Sequence, residues 1–525
     1  MKKEEGHVIG VDDGTDGLAV VLLTTDGQRV ATGDCKVPLT KGPKGERTQN
    51  PIDWRNAFRT ALADARSNAA GFGIDFGPCL GICPTGQMHG KGQRGADGTF
   101  GNSVRLWCDA GSKPEADELT ELFGHPVPQR LLISRWLEEI RHFPDRAREC
   151  TFLTTPSGVI ATFLDPQVRG LGFGDACGAF PVDPQTGKYY PEMVRQFDEL
   201  TKGIGVRPLL ELLAQPVMVG DIVGRVDQAA ADYFDLLQGL PIFSPEGDQP
   251  TTLAGTFTGK TGVVGFSGGT SFCWNMIAGQ AFIGRHPGVE PFMTCDGRRF
   301  FMCHIQNGTP PMNAIVEAHG GFDVVMPLAA QAPVNCSGLI MLPLMEPEHG
   351  LGLPTEAHAA MFNLRADNLT TGNMARAAFL GSMFSLLWSV EALRRQNIIA
   401  REFVVSGGIA KSEWTVQAIA DVFDTPCRIM EDVSGSSDDD ASRLAKVMKT
   451  QTSGFGAALM ALYGHRKQGN SDLEWPDFLQ DARPKNTRVF HPIRENVAAC
   501  RSMYQAFCPI VERVASELNR IPWVA

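Results

Sequence analysis

Two glycine-rich turns carry the first chemical signal. One is Val8-Ile9-Gly10-Val11-Asp12-Asp13-Gly14-Thr15, and the other, about half the chain later, is Val263-Val264-Gly265-Phe266-Ser267-Gly268-Gly269-Thr270. Each joins two short apolar runs, residues 18 to 23 following the first and 272 to 277 the second, so each reads as a β-hairpin. Backbone amides at such a tip form a nest for an anion, most often a phosphate. A hairpin of this kind opening each half predicts two copies of one α/β domain facing each other across a nucleotide; two unrelated turns in chance register are the competing reading. Three further polar segments end apolar runs: Pro84-Thr85-Gly86-Gln87-Met88-His89-Gly90, Ser244-Pro245-Glu246-Gly247-Asp248-Gln249 and Ser406-Gly407-Gly408. The carboxyl ends of strands are where α/β folds place ligands. At the third segment a strand, a glycine turn and an amphipathic helix over 412 to 423 would lay backbone against a ligand.

The elements that must hold these segments follow from periodicity. Residues 28 to 38 read as a third strand, and Asp53 opens a helix with Trp54, Phe58, Leu62 and Ala65 on one face. A short strand over 104 to 107 ends at Cys108-Asp109, and helices with loop insertions fill the region from about Lys113 to Gln238. The second half repeats the plan, with strands near 300 to 305 and 338 to 342 and a long helix from about Asn373 to Arg394. Residues 431 to 447, rich in Ser and Asp, read as an exposed insertion, and the Gly- and Ala-rich helix over 454 to 463 reads as a close-packing element. The expected domains are 1–255, 256–490 and a helical tail, 491–525.

Composition narrows the function class. A net charge of -11 argues against a nucleic-acid partner, since phosphate backbones are bound by excess Lys and Arg. No uninterrupted apolar run reaches the roughly 18 to 20 residues of a membrane span, and the N-terminal Met1-Lys2-Lys3-Glu4-Glu5 is unlike a signal peptide. Thirteen cysteines, an odd number lying mostly in apolar runs, read as reduced core thiols and predict a cytoplasmic protein. Cys79 and Cys83 have no second pair at zinc spacing.

Taken in order, the motifs resemble those of the FGGY carbohydrate kinases: Asp12-x-Gly14-Thr15, Gly86-Gln87-Met88-His89-Gly90, Leu106-Trp107-Cys108-Asp109, Gly247-Asp248-Gln249, Gly268-Gly269-Thr270-Ser271 and Ser406-Gly407-Gly408-Ile409-Ala410-Lys411-Ser412. The Gln-Met-His-Gly loop is most similar to the xylulokinase branch. The resemblance implies an α/β fold of two actin-like (ribonuclease-H-like) ATPase domains with a nucleotide cleft between them, ATP and Mg²⁺ as cofactors, and phosphorylation of a ketose or polyol hydroxyl, D-xylulose being the first candidate. It implies Asp248 as the catalytic base, with a helix N-cap as its structural alternative. Asp12 and Asp248 are implied for the metal, Asp12 through water. The implied sugar contacts are Gln87, Met88, His89, Trp107, Asp109, Asp248 and Gln249, with Asp109 alternatively bracing its loop. Those for the nucleotide are Gly14, Thr15, Gly268, Gly269, Thr270, Ser271, Gly407, Gly408 and Lys411, a Cβ on Gly407 or Gly408 being expected to clash with adenosine.

The chain also departs from the family pattern. Asp16 and Ala19 stand where a Ser or Thr and a phosphate-binding Lys or Arg are usual, Gly111 replaces an Arg, and Arg135 replaces a Lys. A carboxylate beside phosphates costs roughly 1 kcal/mol or more at about 4 Å. The alternative reading is therefore a catalytically weakened sugar- or nucleotide-binding sensor of the same fold. The expected partner is a small sugar or polyol, and the sequence leaves a homodimer open.

Overall fold

The computed structural model describes residues 6–101, 103–109, 111–346, 348, 350–353, 358–430, 440–484 and 487–517. These pack into two compact units. The first comprises the described residues within Met1–Gly259, Met293–Arg298 and Asp432–Arg483; the second comprises those within Lys260–Phe292, Arg299–Glu431 and Pro484–Ala525.

In the first unit the strand His7–Asp13 turns back into Gly17–Thr24, which pairs in turn with Val30–Lys36, an antiparallel meander of the expected order. The helix Pro51–Gly71 follows, capped by the Asn50 side chain with Pro51 opening its first turn, and buries Trp54, Phe58, Leu62 and Ala65 on one face. The chain then returns as Cys79–Gly86, parallel to His7–Asp13. Pro241–Phe243, Ile222–Arg225 and the short Glu246–Gly247 complete a seven-stranded sheet. An inserted lobe between Leu119 and Ala214, mostly helical, builds its own core around Trp136, Phe152, Phe180 and Phe197.

The second unit repeats the order. Val263–Gly268 and Phe272–Ile277 form the hairpin, and Arg299–Ile305 adds the third antiparallel strand. The helix Thr371–Arg394 follows, capped by the Thr370 side chain, and then Glu402–Gly407 returns parallel to Val263–Gly268. Meander, helix and parallel return strand thus occur twice, which accounts for the motif shared by the two halves.

Some expectations need correction. Residues 440–483, expected in the C-terminal half, pack with the first unit. Their helix Thr452–Gly469 presses directly on the first sheet and on the helix Asp248–Gly255: a Cβ on Gly10 would stand 2.2 Å from the Gly454 carbonyl, and one on Gly456 would stand 1.8 Å from that of Thr251. The small residues are there because backbone meets backbone. Of the expected insertion over 431–447, residues 431–439 lie outside the described residues; Asp440–Thr450 is a helix that buries Leu444, Ala445, Val447 and Met448. The C-terminal helix Arg494–Glu517 is no separate tail, since Met503, Phe507 and Val511 belong to the second unit's core and Phe507 packs on Phe384. The strand expected over 104–107 is only Val104–Arg105, because the Asp109 amide turns back to the Leu106 carbonyl at 3.1 Å.

Candidate active site

Strand register gathers the acidic residues of the first unit. Asp12 lies opposite Thr85 and Asp13 opposite Gly86, while Gly247 pairs with Gly86 from the other side. Asp248 follows at once as the first residue of the helix Asp248–Gly255. Gly247 is the N-cap and Asp248 the first residue inside the helix, so Asp248 does not occupy the capping position. Behind it, Glu246 accepts the amide of Gly174 at 3.2 Å, that of Gly247 at 2.9 Å, and that of Asp175. Asp175 in turn accepts the hydroxyls of Thr155 and Ser157.

Burial raises the pKa of every member of this group. Asp12 is pushed up to about 6, against the pull of the Ser453 hydroxyl and the Gly454 backbone. Asp248 rises to about 7, with the charges of Asp12 and Asp175 adding to burial and the Gln249 side chain and Met88 backbone opposing it. Asp175 reaches about 7 and Glu246 about 8. Asp13 is pushed well above the usual carboxylate range, first by burial and then by the charges of Asp12 and Asp248. Like charges held out of water favour uptake of protons or a cation. Asp13, Asp175 and Glu246 are wholly enclosed, whereas Asp12 and Asp248 keep part of their surface open. Only the latter two can therefore meet an incoming ligand without rearrangement.

The loop after Cys79–Gly86 is tied to the first hairpin tip. Gln87 Nε2 donates to Gln49 Oε1 at 2.9 Å, and Thr15 Oγ1 donates to Gln87 Oε1 at 3.2 Å. Trp107 Nε1 donates to Thr15 Oγ1 at 3.0 Å. Met88 packs so closely on Gly247 that a Cβ there would lie 2.4 Å from its Cγ. His89 is buried with φ 70, a left-handed backbone that is uncommon and costly for a non-glycine residue. Burial, with Arg130 and Arg135 adding, holds its pKa well below the ordinary value, so the ring is neutral at pH 7.

The Asp109 carboxylate is taken up by protein partners. It pairs with Arg105 and accepts the amides of Arg47 at 3.0 Å and Gly111 at 3.1 Å. Burial opposes its charge, but these partners hold its pKa below the ordinary value. A Cβ on Gly111 would lie 2.5 Å from Arg105 Nη2, so glycine at 111 and the Arg105 clamp belong together. Arg105 also binds Glu138, which takes the Ser112 hydroxyl at 2.6 Å.

In the second unit, Gly268 pairs with Gly407, which brings the start of the tip Gly268 to Ser271 beside Gly407 and Gly408; Lys411 ends the helical turn Gly408–Lys411 that follows. The reason for glycine at 407 is internal. Its φ is +85, and a Cβ would sit 2.3 Å from the Gly268 carbonyl, whereas a Cβ on Gly408 would come no nearer than 3.9 Å to that carbonyl. At both tips the glycine amide closes its own turn, Gly14 onto Gly17 and Gly269 onto Ser271, each at 3.0 Å. An anion would therefore meet the amides that follow. Asp16 is exposed, and Ala19 lies in register between Asp12 and Asp34.

Sequence motifs point to Asp12 and Asp248, whereas Asp13, Asp175 and Glu246 join them only in the fold. The available signals were the doubled acid at 12–13 and the Pro-Glu-Gly-Asp run; for Asp175 only folding supplies one. Among the described residues no group of three or more His, Cys, Asp or Glu side chains is arranged to hold a metal ion. Asp12 Oδ1 is buried without a hydrogen-bond partner, and this oxygen together with Asp248 suits Mg²⁺, which takes one or two carboxylates and completes its shell with water and phosphate. No described helix is long and apolar enough to cross a membrane.

Comparison with known proteins gives these features a setting. Residues 266–437 match the C-terminal domain of the FGGY family of carbohydrate kinases. The xylulose kinase of Haemophilus influenzae is 23% identical over 89% of this chain and 92% of its own length. Among solved structures, gluconate kinase from Lactobacillus acidophilus aligns with a TM-score of 0.81 at 18% identity, covering 98% of this chain and 99% of the other. Xylulose kinase from Rhodospirillum rubrum aligns with a TM-score of 0.79 at 18% identity, covering 98% and 100%. The fold is the two-domain, actin-like α/β fold of these kinases.

Proposed function

We propose that this chain, which belongs to the FGGY carbohydrate kinase family and is xylulokinase-like, transfers the γ-phosphoryl group of ATP to a hydroxyl of a ketose or polyol, with D-xylulose the first candidate and Asp248 the general base. The observation that carries the reading is Asp248 itself. It is a partly open carboxyl at a strand-to-helix junction, outside the capping position, hydrogen-bonded to the Met88 backbone and pushed up to about 7. A base with a pKa near the working pH combines a useful ionised fraction with real affinity for the hydroxyl proton.

The other residues take roles that suit their surroundings. Gln87, Met88, His89, Trp107 and Gln249 would bind and orient the sugar, the neutral His89 ring offering a hydrogen bond without a charge. Asp109 would act only by holding Trp107 in place, through its bonds to Arg105, Arg47 and Gly111. In the first unit Gly14 and Thr15 would meet phosphate; in the second, Gly268, Gly269, Thr270, Ser271, Gly407, Gly408 and Lys411 would accept the nucleotide. Mg²⁺ held by Asp12 and Asp248 would neutralise phosphate charge. The expected setting is the cytoplasm. Replacing Asp248 with Asn should lower turnover by about 10² or more while sugar binding largely survives; activity within about threefold of wild type would remove Asp248 from the mechanism.

A second reading, a sensor that binds without transfer, draws on one observation. The strand position beside Asp12 is Ala19, and the next beyond is Asp34, so the register supplies no cation there. Binding of sugar or ATP with neither ADP nor sugar phosphate formed would favour it.

A further inference from the structure

Arg135 lies on the helix Leu132–His142 and is fully buried. Every hydrogen bond its guanidinium makes among the described residues goes to a backbone carbonyl. Nη1 donates to His89 at 2.8 Å and to Arg130, and Nη2 donates to Trp107 at 3.2 Å and Asp109 at 3.3 Å. The Asp109 carboxylate favours the guanidinium through its charge, but its hydrogen bonds go to Arg105 and to two amides. So one planar cation spends both ends of its fork on main chain: besides the Arg130 carbonyl just before its own helix, it holds the loop after the strand Cys79–Gly86 and the turn after Val104–Arg105.

The bond to His89 has a particular consequence. His89 sits at φ 70, where a side chain is disfavoured, and the donor on its carbonyl opposes relaxation to ordinary backbone angles. Relaxation would swing both the ring and the preceding Met88. The bonds to Trp107 and Asp109 fix the turn whose indole reaches Thr15.

We propose that Arg135 is a positioning residue that locks the 87–90 loop and the 107–109 turn into one wall, and so sets affinity for the acceptor sugar rather than the rate of transfer. This rests on the reading of Met88, His89 and Trp107 as sugar contacts. Arg135 touches no reacting group. Lysine cannot reproduce the effect, because its ammonium is a point donor without a fork that can span two segments.

The test uses the full chain with Arg135→Met and Arg135→Lys, and two readouts. In steady-state kinetics with the accepted sugar, Arg135→Met should raise the sugar KM about tenfold or more, with kcat within about threefold and the ATP KM within about twofold, the signature of lost uniform binding. Arg135→Lys should fall between it and wild type. In amide hydrogen exchange, the amides of Gln87, Lys91 and Asp109 should lose protection together in Arg135→Met while the strand His7–Asp13 keeps its own. An unmoved sugar KM, or a fall in kcat and a rise in both KM values together, would overturn the proposal, as would exchange that changes at one segment only. Should Arg135→Met fail to fold, Arg135→Lys carries both readouts. If wild type phosphorylates no sugar, the functional reading fails, and the exchange readout alone then supports or overturns the clamp.

Discussion

Replacing Asp248 by Asn should make the protein more stable at the same time as it removes activity. Asp248 titrates near 3.8 as an ordinary carboxyl and at about 7 in the fold. Well below pH 3.8 both states are protonated and the residue is neutral toward stability. As pH rises from there to 7, the unfolded chain ionises while the folded one resists, so stability falls; above pH 7 the whole cost is present. A shift of about 3 units corresponds to an upper figure of ~4 kcal/mol. Asp12, Asp13 and Asp175 share this repulsion and take up protons themselves, so about half of that, ~2 kcal/mol, is the expected gain from the amide. The amide oxygen can still accept from the Met88 backbone. The assay is urea denaturation of wild type and Asp248→Asn in Mg²⁺-free buffer at pH 4 and pH 8. The variant should exceed wild type only slightly at the lower pH and clearly at the higher. A variant that is less stable at pH 8, or a difference that does not change with pH, would refute the electrostatic account of this residue.

Further outcomes follow from neighbouring contacts. Glu246→Ala strands the amides of Gly174, Asp175 and Gly247; at ~1–3 kcal/mol for each buried unsatisfied group, partly relieved by water, it should cost ~2–4 kcal/mol in denaturant unfolding. Gly10→Val drives a side chain into the Gly454 carbonyl and Ala458 amide, so the melting transition should drop by the equivalent of ~3 kcal/mol, and an unchanged transition would mean that the helix Thr452–Gly469 does not bear on this strand. Ala19→Lys places a cation beside Asp12; worth ~1 kcal/mol at close range in a high dielectric, it should lower the KM for ATP about fivefold.

What could be read from the sequence was what is local. Both hairpins, the capped helices and the strand ends bearing Asp12 and Asp248 follow from short patterns of apolar runs and glycine turns. The acidic group was hidden because it is assembled by register: Asp13, Gly86 and Gly247 become neighbours only when three strands align, and Asp175 arrives on the separate helix Phe173–Ala179. Likewise nothing local says that Thr452–Gly469 returns to the first unit, although the glycines at 454 and 456 marked a close approach. For Asp109 the spacing to Arg105 held the clue that its carboxylate is occupied, and Gly111 made sense only once that guanidinium was placed.

The central claim is tested most directly by incubating the chain with ATP and Mg²⁺ against ketopentoses, ketohexoses, polyols and glycerol, and detecting sugar phosphate by mass alongside ADP. Phosphate transferred to a ketose or polyol, D-xylulose first, in step with ADP is the expected result. Binding of nucleotide or sugar with no sugar phosphate from any acceptor would contradict the kinase reading and leave the sensor.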